Sequence, residues 1–142
     1  MYRVLSVCLS LGFFALSAAS AQAETIGIVQ MLVQDSSGAV YEGIPASLYD
    51  GAGNSVQYGS TNALGYVNYF SVEEGTYSMQ VRPGQASACS SCALFENEDI
   101  DIIVSSASAV FDESLGLTKQ TLSTYTLIQG TRFVTVHVVD QS

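Results

Sequence analysis

Apolar and polar residues alternate with a period of two along much of the chain, which is the spacing of β-strands. In the first such run, residues 25–34, Val29, Met31 and Val33 share one face. The further predicted strands are residues 44–49, 56–58, 66–70, 77–82, 99–104, 122–128 and 132–139. Turn residues separate many of these runs at intervals of about 8 to 12 residues. The pattern is typical of a β-sandwich or barrel rather than of βαβ units.

Two parts of this pattern leave alternatives open. Proline has no N–H to donate to a neighbouring strand, so Pro45 leaves two alternatives. Either its strand lies at the edge of a sheet, or Pro45 is among the first residues of that strand. Residues 105–108 are interpreted as a loop, and residues 110–118 are ambiguous, with a short helical turn as one alternative. Residues 122–128 and 132–139 are expected to form a terminal hairpin through a tight turn at Gln129 and Gly130.

The first 23 residues have the features of a cleavable secretory signal in the required order. Arg3 supplies a positive charge, residues 4–14 form an apolar run, and Ala21 and Ala23 offer the small side chains that a signal peptidase needs. A membrane anchor is disfavoured because the apolar run has no charged stop-transfer flank. We expect cleavage after Ala23, a single domain over residues 24–142, no membrane insertion after cleavage, and a secreted or periplasmic protein.

The chain that follows Ala23 is strongly acidic. It holds all 13 acidic residues and three of the basic ones, which gives a net charge of −10. This charge repels the phosphates of nucleic acids and anionic lipid surfaces, so neither is an expected partner. It favours solubility, or contact with cationic partners and divalent cations.

The number of cysteines that remain after the signal is consistent with export. Cys8 leaves with the signal, and Cys89 and Cys92 remain as a pair that is expected to close as a disulfide in an oxidising compartment. The enclosed loop is small, so the bond would mainly fix a local turn. A redox role needs a following helix that lowers the pKa of the first thiol, and the flanks give no convincing helix. Zinc ligation would need four ligands.

Several motifs between residues 28 and 82 carry a family resemblance. They are G-x-P-A-x-L at residues 43–48, T-x-x-x-G at residues 61–65 and G-x-Y at residues 75–77, after a turn at residues 34–38. Together they resemble carboxypeptidase-regulatory-like domains and their relatives, the B-type repeats of collagen-binding adhesins and pilins. The resemblance implies a Greek-key β-sandwich of prealbumin type, with residues 99–139 as less regular strands. Gly65 suits a turn with positive φ, and Tyr77 would be a corner tyrosine whose hydroxyl binds the backbone.

The chain departs from its relatives at two chemical points. Pilin and adhesin members often form an isopeptide bond from a first-strand lysine, but Lys119 is the only lysine after Ala23. Transthyretin-like hydrolases of related fold use several histidines, whereas His137 is the only histidine here. Glu73 and Glu74 are neighbours that would point to different sides, and no Gly-x-Ser-x-Gly elbow is present. We therefore expect no enzymatic activity and no catalytic residue.

An acidic cluster is a candidate metal site. Glu96, Glu98, Asp99 and Asp101 crowd six positions and offer the oxygen ligands that calcium prefers. Acidic runs are more often simply solvated. We therefore expect no cofactor, with calcium as the alternative for which the sequence offers ligands.

Tyr49 and Tyr66 are candidates for carbohydrate binding. Both face outward in the predicted alternation, and aromatic faces stack on sugars, although strand tyrosines more often fill or flank a core. Taken together, the sequence predicts an exported, non-catalytic module for binding, adhesion or extracellular or periplasmic assembly. Its partner would be a protein or a glycan, and exposed edge strands would allow self-assembly. The alternative is a calcium- or carbohydrate-binding accessory domain.

Overall fold

The structure, a computed structural model, describes residues 22–131. Most of the predicted signal, His137 and the predicted strand at residues 132–139 lie outside the described residues. The strands are β1 (Thr25–Gln34), β2 (Ala46–Tyr49), β3 (Ser55–Gln57), β4 (Tyr66–Glu73), β5 (Gly75–Val81), β6 (Glu98–Val104), β7 (Ala109–Asp112), β8 (Leu117–Thr121) and β9 (Tyr125–Thr126). Short 3₁₀ turns lie at Pro83–Gln85, Ser90–Leu94 and Ser106–Ser108. Within residues 22–131 no helix is long and apolar enough to cross a membrane.

The strands form two sheets that enclose one core. The first sheet has the order β4-β1-β8-β7, and β9 also pairs with β1. The second sheet has the order β3-β2-β5-β6. β1 runs antiparallel to β4 but parallel to β8 and β9. The all-β sandwich that the alternating pattern predicts is confirmed.

The core is built from the inward positions of both sheets. Val29, Met31 and Val33 of β1 are buried, as their shared spacing predicts. Leu48 and Met79 are fully buried on the facing strands of the second sheet. The other buried residues of the hydrophobic core include Ile26, Ile44, Ala46, Val67, Tyr69, Val72, Val81, Ile102 and Val104. Removing this apolar surface from water is the main stabilising contribution to the fold.

Two tyrosine hydroxyls tie loops and strands to this core. Tyr69 of β4 is fully buried, and its hydroxyl donates to the Ala46 carbonyl of the facing sheet at 2.6 Å. The Tyr77 hydroxyl donates to the Glu73 carbonyl at 2.7 Å, so the corner contact that the resemblance implies is present. Burial raises the pKa of both phenols.

Local backbone predictions also hold. Gly65 adopts φ +81°, in the left-handed region that favours glycine, and a Cβ there would lie 2.6 Å from Val40 Cγ1. β2 begins directly after Pro45, as expected for a proline among the first residues. The edge alternative is wrong, because β2 pairs with β3 on one side and β5 on the other.

The ambiguous stretch at residues 110–118 is a hairpin, so the helical alternative is wrong. β7 pairs antiparallel with β8, with Val110 opposite Lys119. Asp112 closes the turn by accepting the Ser114 N–H and hydroxyl and, through its carbonyl, the Gly116 N–H. Gly116 takes φ +66°. The polar turn residues between two short strands explain the weak periodicity of this stretch.

The predicted hairpin after Leu122 is not formed as expected within the described residues. Only Tyr125–Thr126 is a strand, and it pairs in parallel with β1. Leu127 is buried and Ile128 is exposed, although Leu122, an even number of positions before Ile128, packs against the core. Instead of turning at Gln129, the chain pairs there with Phe95 as an antiparallel bridge. The prediction of one strand over residues 122–128 is wrong because contact with β1 and residues 94–96 overrides the local pattern, whereas the hairpin stays a prediction because residues 132–139 lie outside the described residues.

Candidate interaction surfaces

The edge strand β7 exposes apolar side chains on both of its faces. It is the last strand in the order of the first sheet, so one of its sides has no neighbour among the described strands. Val110 is 72% exposed and Phe111 is 60% exposed. An edge strand with unpaired N–H and C=O groups and apolar side chains is a template for pairing with another chain.

A row of side chains, apolar except for Lys119, continues from β7 across the outer face of the first sheet. Phe70 lies opposite Ile28, Ile28 opposite Lys119, and Lys119 opposite Val110. Directly paired residues share a sheet face, so these four side chains form one line across four strands, which we call the cross-strand row. Phe70 is 56% exposed at its far end. The neighbouring line is polar, where Gln30 donates to Asn68 at 2.8 Å.

The outer face of the second sheet has a different chemistry. A shallow cavity of about 350 Å³ is lined there by Tyr49, Tyr58, Ser47, Gln80 and Arg82. Tyr58 is 80% exposed. An aromatic side chain beside amide, hydroxyl and guanidinium donors is the combination that sugar-binding surfaces use.

The two tyrosines predicted to bind carbohydrate do not lie together. Tyr49 is on β2 in the second sheet, and Tyr66 is on β4 in the first. Both are half-buried on outward positions, so they face away from each other across the sandwich. The sequence missed Tyr58 as the companion of Tyr49, because only the pairing of β2 with β3 brings residues 49 and 58 to one surface.

The acidic cluster is divided between two sides of β6. Asp99 and Asp101 share the exposed face, while Glu98 lies on the inward-facing side and Glu96 precedes the strand. Arg82 binds Asp99 at 2.5 Å in an ion pair whose Arg82 side chain is half-buried and whose Asp99 side chain is exposed. Within residues 22–131 no group of three or more acidic, cysteine or histidine side chains could hold a metal ion. The structure therefore does not bring the four predicted calcium ligands together.

The Cys89–Cys92 disulfide is present and closes a turn between β5 and β6. Cys92 is fully buried against the core, and its N–H donates to Cys89 Sγ at 3.1 Å. The five-residue 3₁₀ turn Ser90–Leu94 that follows Cys89 is too short for a redox helix. This geometry suits the structural role that the sequence predicts.

Carboxylates in the turns are held ionised by local donors. Asp35 accepts the Ser37 hydroxyl, the Tyr41 hydroxyl and the N–H groups of Ser37 and Ala39. These bonds lower the pKa of Asp35 from its ordinary value of 3.8 to about 2, the Ser37 and Tyr41 hydroxyls contributing most. Such groups organise turns, and the prediction of no catalytic residue stays a prediction because His137 lies outside the described residues.

A third surface is a groove at the open side of the sandwich. It has a volume of about 340 Å³ and runs between β6 and residues 122–125. The Tyr125 hydroxyl beside it is buried without a hydrogen-bond partner in the described part of the chain. Burial, followed by the charges of Glu98 and Glu96, raises the pKa of Tyr125 to about 12. No sequence pattern indicates this groove, because its two walls come from different sheets.

Comparison with known proteins supports the β-sandwich fold described above. No family model and no curated protein matches the chain. Among solved structures, it is similar to the major pilin subunit of Bacillus cereus, at 17% identity and a TM-score of 0.53. It is also similar to the pilus 2b backbone protein of group B streptococcus, at 15% identity and 0.51, and to the Bacillus anthracis TIE protein, at 16% and 0.50.

These matches define the class of the domain. Each covers 75% of this chain, but the matched part is only 31%, 42% and 17% of the three larger proteins, respectively. At such low identity the similarity shows the fold. The protein has a Greek-key β-sandwich of prealbumin type, as the motifs between residues 28 and 82 imply.

Proposed function

We propose that this chain is an exported, non-catalytic β-sandwich module that assembles with further copies of itself outside the cytoplasm, in the periplasm or at the cell surface. The observation that carries the proposal is β7, an edge strand with Val110 and Phe111 exposed on its opposite faces. The signal pattern at residues 1–23 and the Cys89–Cys92 disulfide support export. The pilin subunits of similar fold are compatible with an assembly role.

The physical argument is that this surface is costly to leave in water. Val110 belongs both to the unpaired edge and to the cross-strand row, so a second copy of β7 that pairs with the edge would continue the row with its own side chains. Two copies of one strand can pair antiparallel about a twofold axis, which is the commonest symmetry of soluble dimers. A lysine at an edge position is how natural sheets prevent such pairing.

The test compares two lysine substitutions in the chain without residues 1–23. Val110→Lys is expected to weaken self-association by about tenfold in sedimentation equilibrium. Leu64→Lys is the matched control, because Leu64 is 68% exposed in a turn away from β7. A wild-type protein that stays monomeric at all concentrations would exclude self-assembly. Equal effects of the two variants would show that β7 is not the contact.

A second candidate function is glycan binding at the cavity beside Tyr49. The exposed ring of Tyr58 and the donors of Gln80 and Arg82 favour it. In a thermal-shift screen with oligosaccharides, a ligand of this surface should raise the melting temperature of the wild type but not of Tyr58→Ala. Tyr66→Ala, on the other sheet, should respond like the wild type. A shift that survives in Tyr58→Ala would place the ligand elsewhere.

A further inference from the structure

The groove between β6 and residues 122–125 has no strand in it among the described residues. Met31 and Ile102 are core residues that form part of its lining, and Ile100 and Leu122 add apolar surface. β6 pairs with β5 on one side and has no other partner strand among the described residues. An apolar groove beside an unpaired strand edge offers both side-chain pockets and backbone hydrogen bonds to an extended segment.

The Tyr125 hydroxyl is an independent indication that this groove takes a polar partner from beyond the described residues. It is buried, and within residues 22–131 it has neither a donor nor an acceptor. A buried polar group without a partner destabilises the folded state, so few are left in native proteins. A backbone carbonyl or N–H of a docked strand would satisfy it.

The course of the chain at Thr131 indicates where such a strand comes from. The Glu96 N–H donates to the Ile128 carbonyl at 2.8 Å, and the Gly130 N–H donates to the Leu94 carbonyl at 2.8 Å. Residues 128–130 therefore run antiparallel to residues 94–96, in the direction opposite to that of β6. The chain reaches Thr131 heading away from its own groove, so its continuation would need a full reversal to enter it.

We propose that residues 132–139 of one copy dock in the groove of a second copy, along the free edge of β6. The segment has the required pattern, because Val134, Val136 and Val138 alternate with residues of the other face. Eight extended residues span about 26 Å, enough to follow the seven residues of β6. Each copy then offers one segment and one groove, which makes the contact heterologous and able to continue into chains. The inference rests on the proposed assembly function and names a second contact for it.

The test uses two variants that block opposite halves of the contact. Val136→Asp places a charge on the apolar face of the segment, and Thr124→Arg places a bulky cation at an exposed position that lines the groove. Either variant alone is expected to lose concentration-dependent association through this contact. An equimolar mixture of the two variants, each also carrying Val110→Lys to weaken the β7 contact, should form a heterodimer and no larger species, because it contains one intact segment and one intact groove.

Matched controls separate this contact from a loss of folding. Thr135→Asp changes the opposite face of the segment, and Thr126→Arg is an exposed strand position outside the groove; both should associate like the wild type. Tyr125→Phe should weaken association roughly five- to tenfold without lowering the stability of the dilute monomer. Far-UV circular dichroism checks that each variant keeps its β-structure.

Hydrogen exchange gives a second readout. The β6 amides on the groove side should be protected at high protein concentration and exchange quickly in the dilute monomer. Protection that persists on dilution would show that each copy fills its own groove, which overturns the proposal. If Val110→Lys abolishes association while Val136→Asp and Thr124→Arg leave it intact, assembly through β7 stands and this second contact fails. If Val136→Asp and Thr124→Arg abolish association while Val110→Lys leaves it intact, the copies associate through the groove and not through β7.

Discussion

Asp35 shows how one side chain can organise a turn in this protein. Its carboxylate accepts two hydroxyls and two backbone N–H groups just after β1 ends. The carboxylate also reaches Tyr41, whose ring contacts Phe95 with centroids 5.6 Å apart. The pKa of Asp35 falls to about 2 because these bonds favour the charged form. Asp50 and Asp112 also accept hydrogen bonds within their turns. Bonds from Asn54 lower the pKa of Asp50, and bonds from Ser114 lower the pKa of Asp112.

The lowered pKa of Asp35 predicts a pH dependence of stability. A depressed folded-state pKa contributes stability that is complete above the unfolded value of about 3.9 and is lost as the pH falls through about 2. Asp35→Asn should therefore flatten the decrease in the free energy of unfolding between these pH values, measured by urea titration. Ser37→Ala, which removes the first donor, should flatten it less. Identical slopes for wild type and Asp35→Asn would contradict this account.

Gly65 carries a constraint that is both conformational and steric. Its φ of +81° disfavours any side chain, and a Cβ would meet Val40 at 2.6 Å. Gly38 has a similar φ of +84° but has no atom within 4 Å of a Cβ. The two glycines therefore separate the cost of the backbone conformation from the cost of the contact.

Alanine substitutions should reveal this difference. Gly38→Ala should lower the free energy of unfolding by about 1–2 kcal/mol, the cost of the left-handed conformation. Gly65→Ala should cost about 1–3 kcal/mol more, because the turn must also move away from Val40. Chemical denaturation of both variants gives the two values. An equal decrease in the free energy of unfolding for the two variants would mean that Val40 moves aside without an energetic cost.

At the scale of elements, the segment between β5 and β6 depends on the disulfide. The Cys89–Cys92 bond closes a very short loop, and Cys92 packs in the core beside the 3₁₀ turn Ser90–Leu94. This segment also supplies the backbone that pairs with residues 128–130. The bond therefore stabilises the end of the sandwich where the described chain finishes.

Reduction of the disulfide should weaken the fold without abolishing it. Closing a loop of four residues removes unfolded-state entropy worth about 2 kcal/mol. We expect dithiothreitol to lower the free energy of unfolding of the wild type by about this amount. The Cys89→Ala/Cys92→Ala double variant should not respond to the reductant. Unfolding of the wild type on reduction alone would show that the bond holds more than a local turn.

At the scale of the whole molecule, acidic charge and apolar contact surfaces oppose each other. The chain after Ala23 carries a net charge of −10, so two copies repel at low salt. Both proposed contacts, the β7 edge and the groove, rely on backbone pairing and apolar side chains. Salt should therefore reduce the repulsion without weakening the contacts.

The expected result is that self-association strengthens with salt. The Debye length falls from about 30 Å at 0.01 M to about 8 Å at 0.15 M ionic strength, which screens the repulsion between copies. Sedimentation equilibrium at these two salt concentrations measures the change. Association that weakens with salt would indicate opposite charges at the interface and would contradict apolar contacts.

The sequence alone determined what depends on neighbouring residues. The burial of Val29, Met31 and Val33 follows from period-two alternation, because a strand with one buried face cannot shift by one residue. The turn at Gly65 and the disulfide at Cys89 and Cys92 follow from local backbone and pairing chemistry. Local rules also set the start of β2 after the proline.

Only the tertiary structure decided which strands lie side by side. The parallel pairing of β8 and β9 with β1 joins residues about 90 positions apart, and no local pattern encodes it. That pairing leaves β7 as an exposed edge and opens the groove at Tyr125. The pairing of β4 with β1 and of β2 with β5 places Tyr66 and Tyr49 on opposite sheets. Alternation specifies which face of a strand is buried, but the partner of that strand depends on the free energy of the whole packed sandwich.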